Sequence, residues 1–216
     1  MPRQPRIILS QSCYHIITRG NNKNIIFKED SDYLFFLNLV LKYKKIHPFD
    51  IYHYCLMPNH THFLIQTRKT TDFSIFMKKL NLSYFHYFNK KYGWVGHFWQ
   101  NRFKSQPVGK DNYFIQCGKY IELNPKRAGI VKDLKEYLYS SYNHYAYGEE
   151  NELLTDDFLY QTLGKNKKER QANYREMFID AVINKSYNKK IWGSDSQRYM
   201  EKRKIKRKLS GKSKND

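Results

Sequence analysis

The period of apolar positions changes several times along the chain, and each change predicts an element. SCYHIITR (12–19) reads as a strand closed by GNN at 20–22. From Ser31 to about Lys45, SDYLFFLNLVLKYKK has helical spacing with Ser31 as its N-cap, and His47–Pro48 ends it. FDIYHYCLM (49–57) is strand-like, and Pro58–Asn59 turns it into HTHFLIQT (60–67). So short a linker predicts an antiparallel hairpin. Between Thr71 and Lys90 the residues Phe73, Phe76, Met77, Leu80, Tyr84 and Phe88 recur near i, i+3/i+4 and predict a second helix. FWQNRFKSQPV (98–108) predicts a fourth strand and DNYFIQCGKYIEL (111–123) a third helix. The order β-α-β-β-α-β is the ferredoxin-like pattern, an α+β fold with an antiparallel sheet. Its sheet is expected to carry helices on one face and leave the other open. The turn around Gly129 closes that body, and SSYNHYAYG (140–148) is its final short segment.

Beyond Gly148 the pattern changes. Residues 149–164 mix acidic and apolar positions, and 163–192 predict one helix with Tyr174, Met177, Phe178, Ala181 and Val182 on one face. The last twenty residues are too charged to pack and are expected to be disordered. The expected organisation is therefore a domain over 1–148, a helical extension over 149–196 and a basic tail over 197–216.

Composition and charge narrow the function. The chain has 216 residues, 39 of them Lys or Arg against 20 Asp or Glu, a net charge of +19. The tail holds nine basic and two acidic residues, a net +7, which leaves +12 on the first 196 residues. A body this basic is matched to a polyanion, nucleic acid first. A membrane surface is the rival partner, but no basic amphipathic helix with a clean apolar face stands out. No apolar run of 18 residues exists and no signal peptide is recognisable, so no membrane span is expected. Three cysteines (Cys13, Cys55, Cys117), without paired spacing, predict a reducing cytoplasm.

Candidate chemistry begins at MPNHTHFL (57–64). In an extended chain His60, His62, Leu64 and Gln66 share one face, while Thr61, Phe63, Ile65 and Thr67 share the other. Two imidazoles on one face suit a divalent metal; they equally suit the solvated side of a half-buried strand. A metal needs a further ligand, and Tyr120 and Asn124 lie four apart on one face of the third helix, which Pro125 ends. Imidazole with oxygen ligands suits Mg²⁺ or Mn²⁺, whereas cysteine would point to zinc. A tyrosine hydroxyl beside a metal can attack a phosphodiester and form a phosphotyrosine. Spacing leaves the choice open: there are 19 tyrosines, and Tyr139 with Asn143 or Tyr147 with Asn151 meets the same rule. Packing of Tyr120 with Tyr113, Cys117 and Ile121 as core fits the pattern equally well.

Four blocks in order, YHIITRGNN (14–22), LMPNHTHFLIQ (56–66), FWQNRFKS (98–105) and YIELNPKRAGIV (120–131), resemble the REP-associated tyrosine transposases. These are a branch of the single-tyrosine HUH nucleases, and the resemblance covers roughly residues 7–145. It implies a ferredoxin-like domain that nicks and rejoins single-stranded DNA near hairpins through a covalent 5′-phosphotyrosine. It implies His60 and His62 as the metal-binding pair, with Thr61 where the family carries a bulkier hydrophobe. It also implies Tyr120 as nucleophile and Asn124 as third metal ligand, settling the choice among tyrosines. The metal is expected to be Mg²⁺ or Mn²⁺, and cleavage to fail well below pH 6 as the histidines protonate. Both monomers and dimers that exchange the tyrosine helix are compatible with the resemblance.

Further residues carry binding expectations. Arg19, Asn21 and Asn22 sit where the relatives hold bases of a short guide sequence; a Gly-Asn turn is the plainer alternative. Arg102 and Lys104 share a face of the fourth strand and can hold phosphates, or form a solvated face. Lys126 and Arg127 follow the tyrosine helix and can grip the backbone near the cut. Trp94, Phe98 and Trp99 suit stacking on bases or burial in the core. His15 is expected as a structural or DNA contact. Two rivals share parts of this reading: a replication-initiation nickase, and a hairpin-binding regulator with a silent site.

Overall fold

The computed structural model describes residues 8–68, 70–109 and 112–179. Strands β1 (Cys13–Arg19), β2 (Phe49–Met57), β3 (His60–Thr67) and β4 (Lys104–Val108) form one sheet in the order β2-β3-β1-β4. Every neighbouring pair is antiparallel. Helix α1 (Asp30–Ile46) lies between β1 and β2 in sequence, and α2 (Thr70–Tyr92) between β3 and β4. This is the expected α+β, ferredoxin-like order.

Strand alternation decides where the core sits. Tyr14 and Ile16 of β1, Phe63 and Ile65 of β3, and Ile51, Tyr54 and Leu56 of β2 share a core with Phe36 and Val40 of α1. Met77, Leu80, Tyr84 and Phe88 bring the apolar stripe of α2 into the same core. Each such side chain contributes about 1.5–3 kcal/mol when taken out of water. The N-cap of α1 is Glu29 rather than Ser31: Glu29 and Asp32 form a reciprocal capping box. The reason is Asp32, whose wholly buried carboxylate takes the backbone N–H of Lys28 at 2.8 Å and hydroxyls from Tyr87 and Tyr92.

The opposite face of the sheet is not open. Helix α3 (Asn112–Glu122) lies over β2 and β3, followed by α4 (Asn124–Arg127) and α5 (Tyr142–Tyr147). A register shift between Ile51 and His53 turns Tyr52 and His53 together toward α3, where both meet Phe114. The fourth strand is shorter than the pattern predicts. Phe98 and Trp99 lie outside it, tied to the end of β1 by an isolated Gly20–Trp99 bridge, and pack against α2, where Trp99 Nε1 donates to the Asn81 carbonyl at 3.0 Å. What remains pairs only with β1, an edge position where Pro107 withholds no needed N–H.

The chain after Gly148 returns to this body. Thr155 N–H bonds the Ile51 carbonyl at 2.8 Å, and Leu153 joins the core. Helix α6 (Lys167–Glu176) starts at an Asn166 cap, and Tyr174 is buried. It is shorter than the 163–192 expected, and Ala181, Val182 and the tail lie outside the described residues.

Candidate active site

The face of the sheet beneath α3 gathers side chains from four elements. His60 and His62 point there from β3, and the register sets Arg19 opposite His60 and Ile17 opposite His62. His62 is wholly buried, and its Nδ1 lies 2.8 Å from Nε2 of His15 on β1. His60 Nδ1 lies 2.5 Å from Asn59 Oδ1. The two ring centroids of His60 and His62 are 4.8 Å apart. Tyr120, from α3, is buried with its ring centroid 6.0 Å from both His15 and His62. The Arg127 guanidinium stands 5.1 Å from the centre of that ring. Asn124 opens α4, and its Nδ2 donates to the carbonyls of Tyr120 at 2.9 Å and Ile121 at 3.1 Å.

Burial, then the charge of Arg19, lowers the His60 pKa to about 4. Burial, then His60, lowers His15 to about 3. His62 is pushed well down by burial, with His60, His15 and Arg19 adding to it. All three are therefore neutral near pH 7, the state in which imidazole offers a lone pair. Burial therefore keeps these rings neutral at a lower pH than exposed imidazoles.

A family model described as Transposase IS200 like matches residues 8–124, more than half of the chain. This chain belongs to the IS200-like transposases. The matched segment runs from β1 through α3 to Asn124 and includes His60, His62 and Tyr120. Among the curated proteins none matches the sequence. Of solved structures, that of the REP-associated tyrosine transposase bound to a REP hairpin is similar in fold, at 20% identity and a TM-score of 0.57. The similarity covers 73% of this chain and 93% of that one. A structure from Deinococcus radiodurans R1, provisionally described as a transposase, is similar at 16% identity over 56% of this chain and 96% of the other, with a TM-score of 0.40.

In this IS200-like transposase the donor set beneath α3 fits a divalent cation. His62 Nε2 is buried with no hydrogen-bond partner, a ring nitrogen inside the protein that nothing else satisfies. Both amide hydrogens of Asn124 are directed at carbonyls, so Oδ1 is the atom it can offer. Among the described residues no cluster of three or more His, Cys, Asp or Glu can hold a metal. Two imidazoles and one carboxamide leave positions for water and phosphate oxygens, as Mg²⁺ and Mn²⁺ require.

The remaining sequence-predicted residues fall less uniformly. Asn21 and Asn22 form a 3-10 turn at the end of β1, with Asn22 in the left-handed region at φ 49°. Lys104 opens β4 opposite Ile17 and so stands on the same face as His62. Arg102 is exposed outside β4, so it does not share that strand's face as expected. Lys126 is exposed on α4 beside Arg127. Trp94, Phe98 and Trp99 pack against the core next to α2.

Sequence reasoning missed a second polar cluster behind the site. His53 on β2 is buried with Nδ1 2.8 Å from Glu122 Oε1 and Nε2 3.1 Å from Asp157 Oδ2. Burial alone drives its pKa down, but its hydrogen bonds to the carboxylates of Asp157 and Glu122 raise it to about 9, so it is charged at neutral pH. Glu122 also accepts from Ser141 at 2.5 Å and Tyr174 at 2.6 Å. Glu122 follows Tyr120 by two residues, so this cluster pins the tyrosine helix to β2. Its members span His53–Tyr174 in sequence, and no local pattern connects them.

Proposed function

We propose that this IS200-like transposase cleaves and rejoins single-stranded DNA beside hairpin sequences through a covalent 5′-phosphotyrosine on Tyr120. The observation that carries this reading is that Tyr120 of α3 packs against His62, which in turn packs against His60 on β3. In the reaction Tyr120 Oη attacks phosphorus and loses its proton, the bond from phosphorus to the 3′ oxygen breaks, and that oxygen leaves as a 3′-OH. The tyrosyl ester retains the phosphodiester, so a second 3′-OH can displace Tyr120 without a nucleotide cofactor. A divalent cation held by His60, His62 and Asn124 would supply charge stabilisation at the phosphate oxygens.

The other residues have roles the chain itself supplies. Arg19, across the ladder from His60, and Arg127, over the Tyr120 ring, bring positive charge to both sides of the nucleophile. The packing of Tyr120 between His15 and His62 limits its rotamers and so its reach. Lys126, Lys104 and Arg102 extend the basic surface for backbone phosphates, and Asn21 and Asn22 offer amides for unpaired bases. The hairpin substrate is supported by the fold shared with a transposase solved on a REP hairpin.

The test is a denaturing gel of protein incubated with hairpin-bearing single strands and Mn²⁺. Wild type should give a covalent adduct and Tyr120→Phe none, while both shift the DNA equally in native gels. An adduct surviving in Tyr120→Phe would move the nucleophile to another tyrosine.

A further inference from the structure

Each histidine of the pair has one ring nitrogen already engaged, and the two partners differ in kind. His60 Nδ1 faces Asn59 Oδ1 at 2.5 Å, and the Asn59 amide is oriented by donation of its Nδ2 to the Lys23 carbonyl at 3.2 Å. A carbonyl oxygen can only accept, so Nδ1 of His60 holds the proton and Nε2 the lone pair. His62 Nδ1 faces another imidazole, His15 Nε2, at 2.8 Å, with both residues buried. That contact holds a single proton and has two arrangements. With the proton on His62 Nδ1, His62 Nε2 carries a lone pair and His15 Nδ1 an N–H. With it on His15 Nε2, His62 Nε2 carries an N–H and cannot bind a cation.

Hydrogen bonding within the chain does not choose between them. His62 Nε2 and His15 Nδ1 are both buried without a partner, so either arrangement leaves one N–H and one lone pair unsatisfied. A cation at His62 does choose, since only a lone pair can ligate. We propose that His15, with Asn59 opposite it, is a positioning residue of the metal site: it accepts the Nδ1 proton of His62 and so presents Nε2 of both histidines as ligands. The proposal rests on the reading of His60 and His62 as the metal pair. Outer partners of this kind orient the imidazole and fix its tautomer, and their loss weakens metal binding by about 10–100-fold.

Three measurements on the full chain test it. Mn²⁺ titration by electron paramagnetic resonance reads affinity without DNA cleavage. His15→Phe keeps an aromatic ring but no acceptor, and should weaken Mn²⁺ binding about 10–100-fold. His15→Gln restores a side-chain oxygen acceptor and should return affinity to within a few-fold of wild type. Long-range ¹H–¹⁵N spectra of wild type with Mg²⁺ should show His60 and His62 both protonated at Nδ1. A folded His15→Phe that binds Mn²⁺ as tightly as wild type overturns the role of His15 while leaving the metal pair standing. A spectrum with His62 protonated at Nε2 under Mg²⁺ overturns it without any variant. Mn²⁺ affinity unchanged in both His60→Ala and His62→Ala removes the metal pair itself, and the proposal with it.

Discussion

At the residue scale, the histidines beneath α3 show how far burial overrides an ordinary side-chain property. An imidazole in water titrates near 6.5. In the fold His60 is lowered to about 4 and His15 to about 3, and burial lowers His62 well below its ordinary value too. The lowered values set the sign of the pH dependence. Below about pH 6.5 the unfolded chain takes up protons that the folded chain refuses until about pH 4, so stability falls across that window. Thermal melts between pH 7 and 4 should show this decline, and His62→Asn should make it shallower. A melting temperature level across the window would contradict the burial of these rings. Metal-dependent cleavage should survive at pH 5.5, where exposed histidines would already be charged.

At the element scale, the position of α3 depends on one residue without a side chain. A Cβ at Gly118 would stand 2.6 Å from His53 Nε2 and 2.7 Å from its Cδ2. The ring cannot yield, because Glu122 and Asp157 hold it from both sides. Gly118→Ala should therefore lift α3 from β2, costing about 1–3 kcal/mol in chemical denaturation. Tyr120 lies two residues further on, so adduct formation should drop about 100-fold while hairpin binding holds, since displacements near 1 Å have that effect on reaction rate. Equal rates in the variant and wild type would show that α3 docks without His53. The same ion pair explains why Glu122 accepts from His53, Ser141 and Tyr174: a carboxylate taken wholly from water is tolerated only when its lone pairs are met. Glu122→Gln breaks the charge pairing with His53 and should destabilise the fold by about 3–5 kcal/mol in the same measurement.

At the scale of the whole molecule, two segments beyond Gly148 call for different experiments. Residues 149–179 bring Leu153 to the core, Asp157 to His53 and Tyr174 to Glu122. A chain ending at residue 148 leaves the charged His53 short of a partner, and should melt well below one ending at 179, since breaking a buried pair costs about 3–5 kcal/mol. Residues 197–216 carry a net +7, and their expected action is through charge. If about five of their basic groups meet phosphates, deleting them should flatten the plot of log K against log salt by about 3.5 units on single-stranded DNA. Discrimination between right and wrong hairpins should barely change, because contacts to phosphate carry no base readout. Parallel salt plots for the two chains would leave the tail idle.

The order of strands and the two core helices were legible because each rests on a local period: alternation in 12–19 and 60–67, and i, i+3/i+4 spacing in 71–90. Local pattern also set His60 and His62 on one face and Tyr120 four residues from Asn124, and the four sequence blocks singled out Tyr120 among its rivals. Three features were decided only by tertiary structure. Phe98 and Trp99 left the predicted strand because the aromatic core beside α2 takes them, which no alternation rule foresees. The face of the sheet that was expected to be open is covered by α3, and burial there shifts the histidine pKa values. His15 found His62, and Glu122 found His53 and Tyr174, across 47, 69 and 52 residues of chain. Spacing rules reach one turn of helix or one strand neighbour; hydrogen bonds between residues this far apart exist only once sheet register and helix docking have set the atoms together.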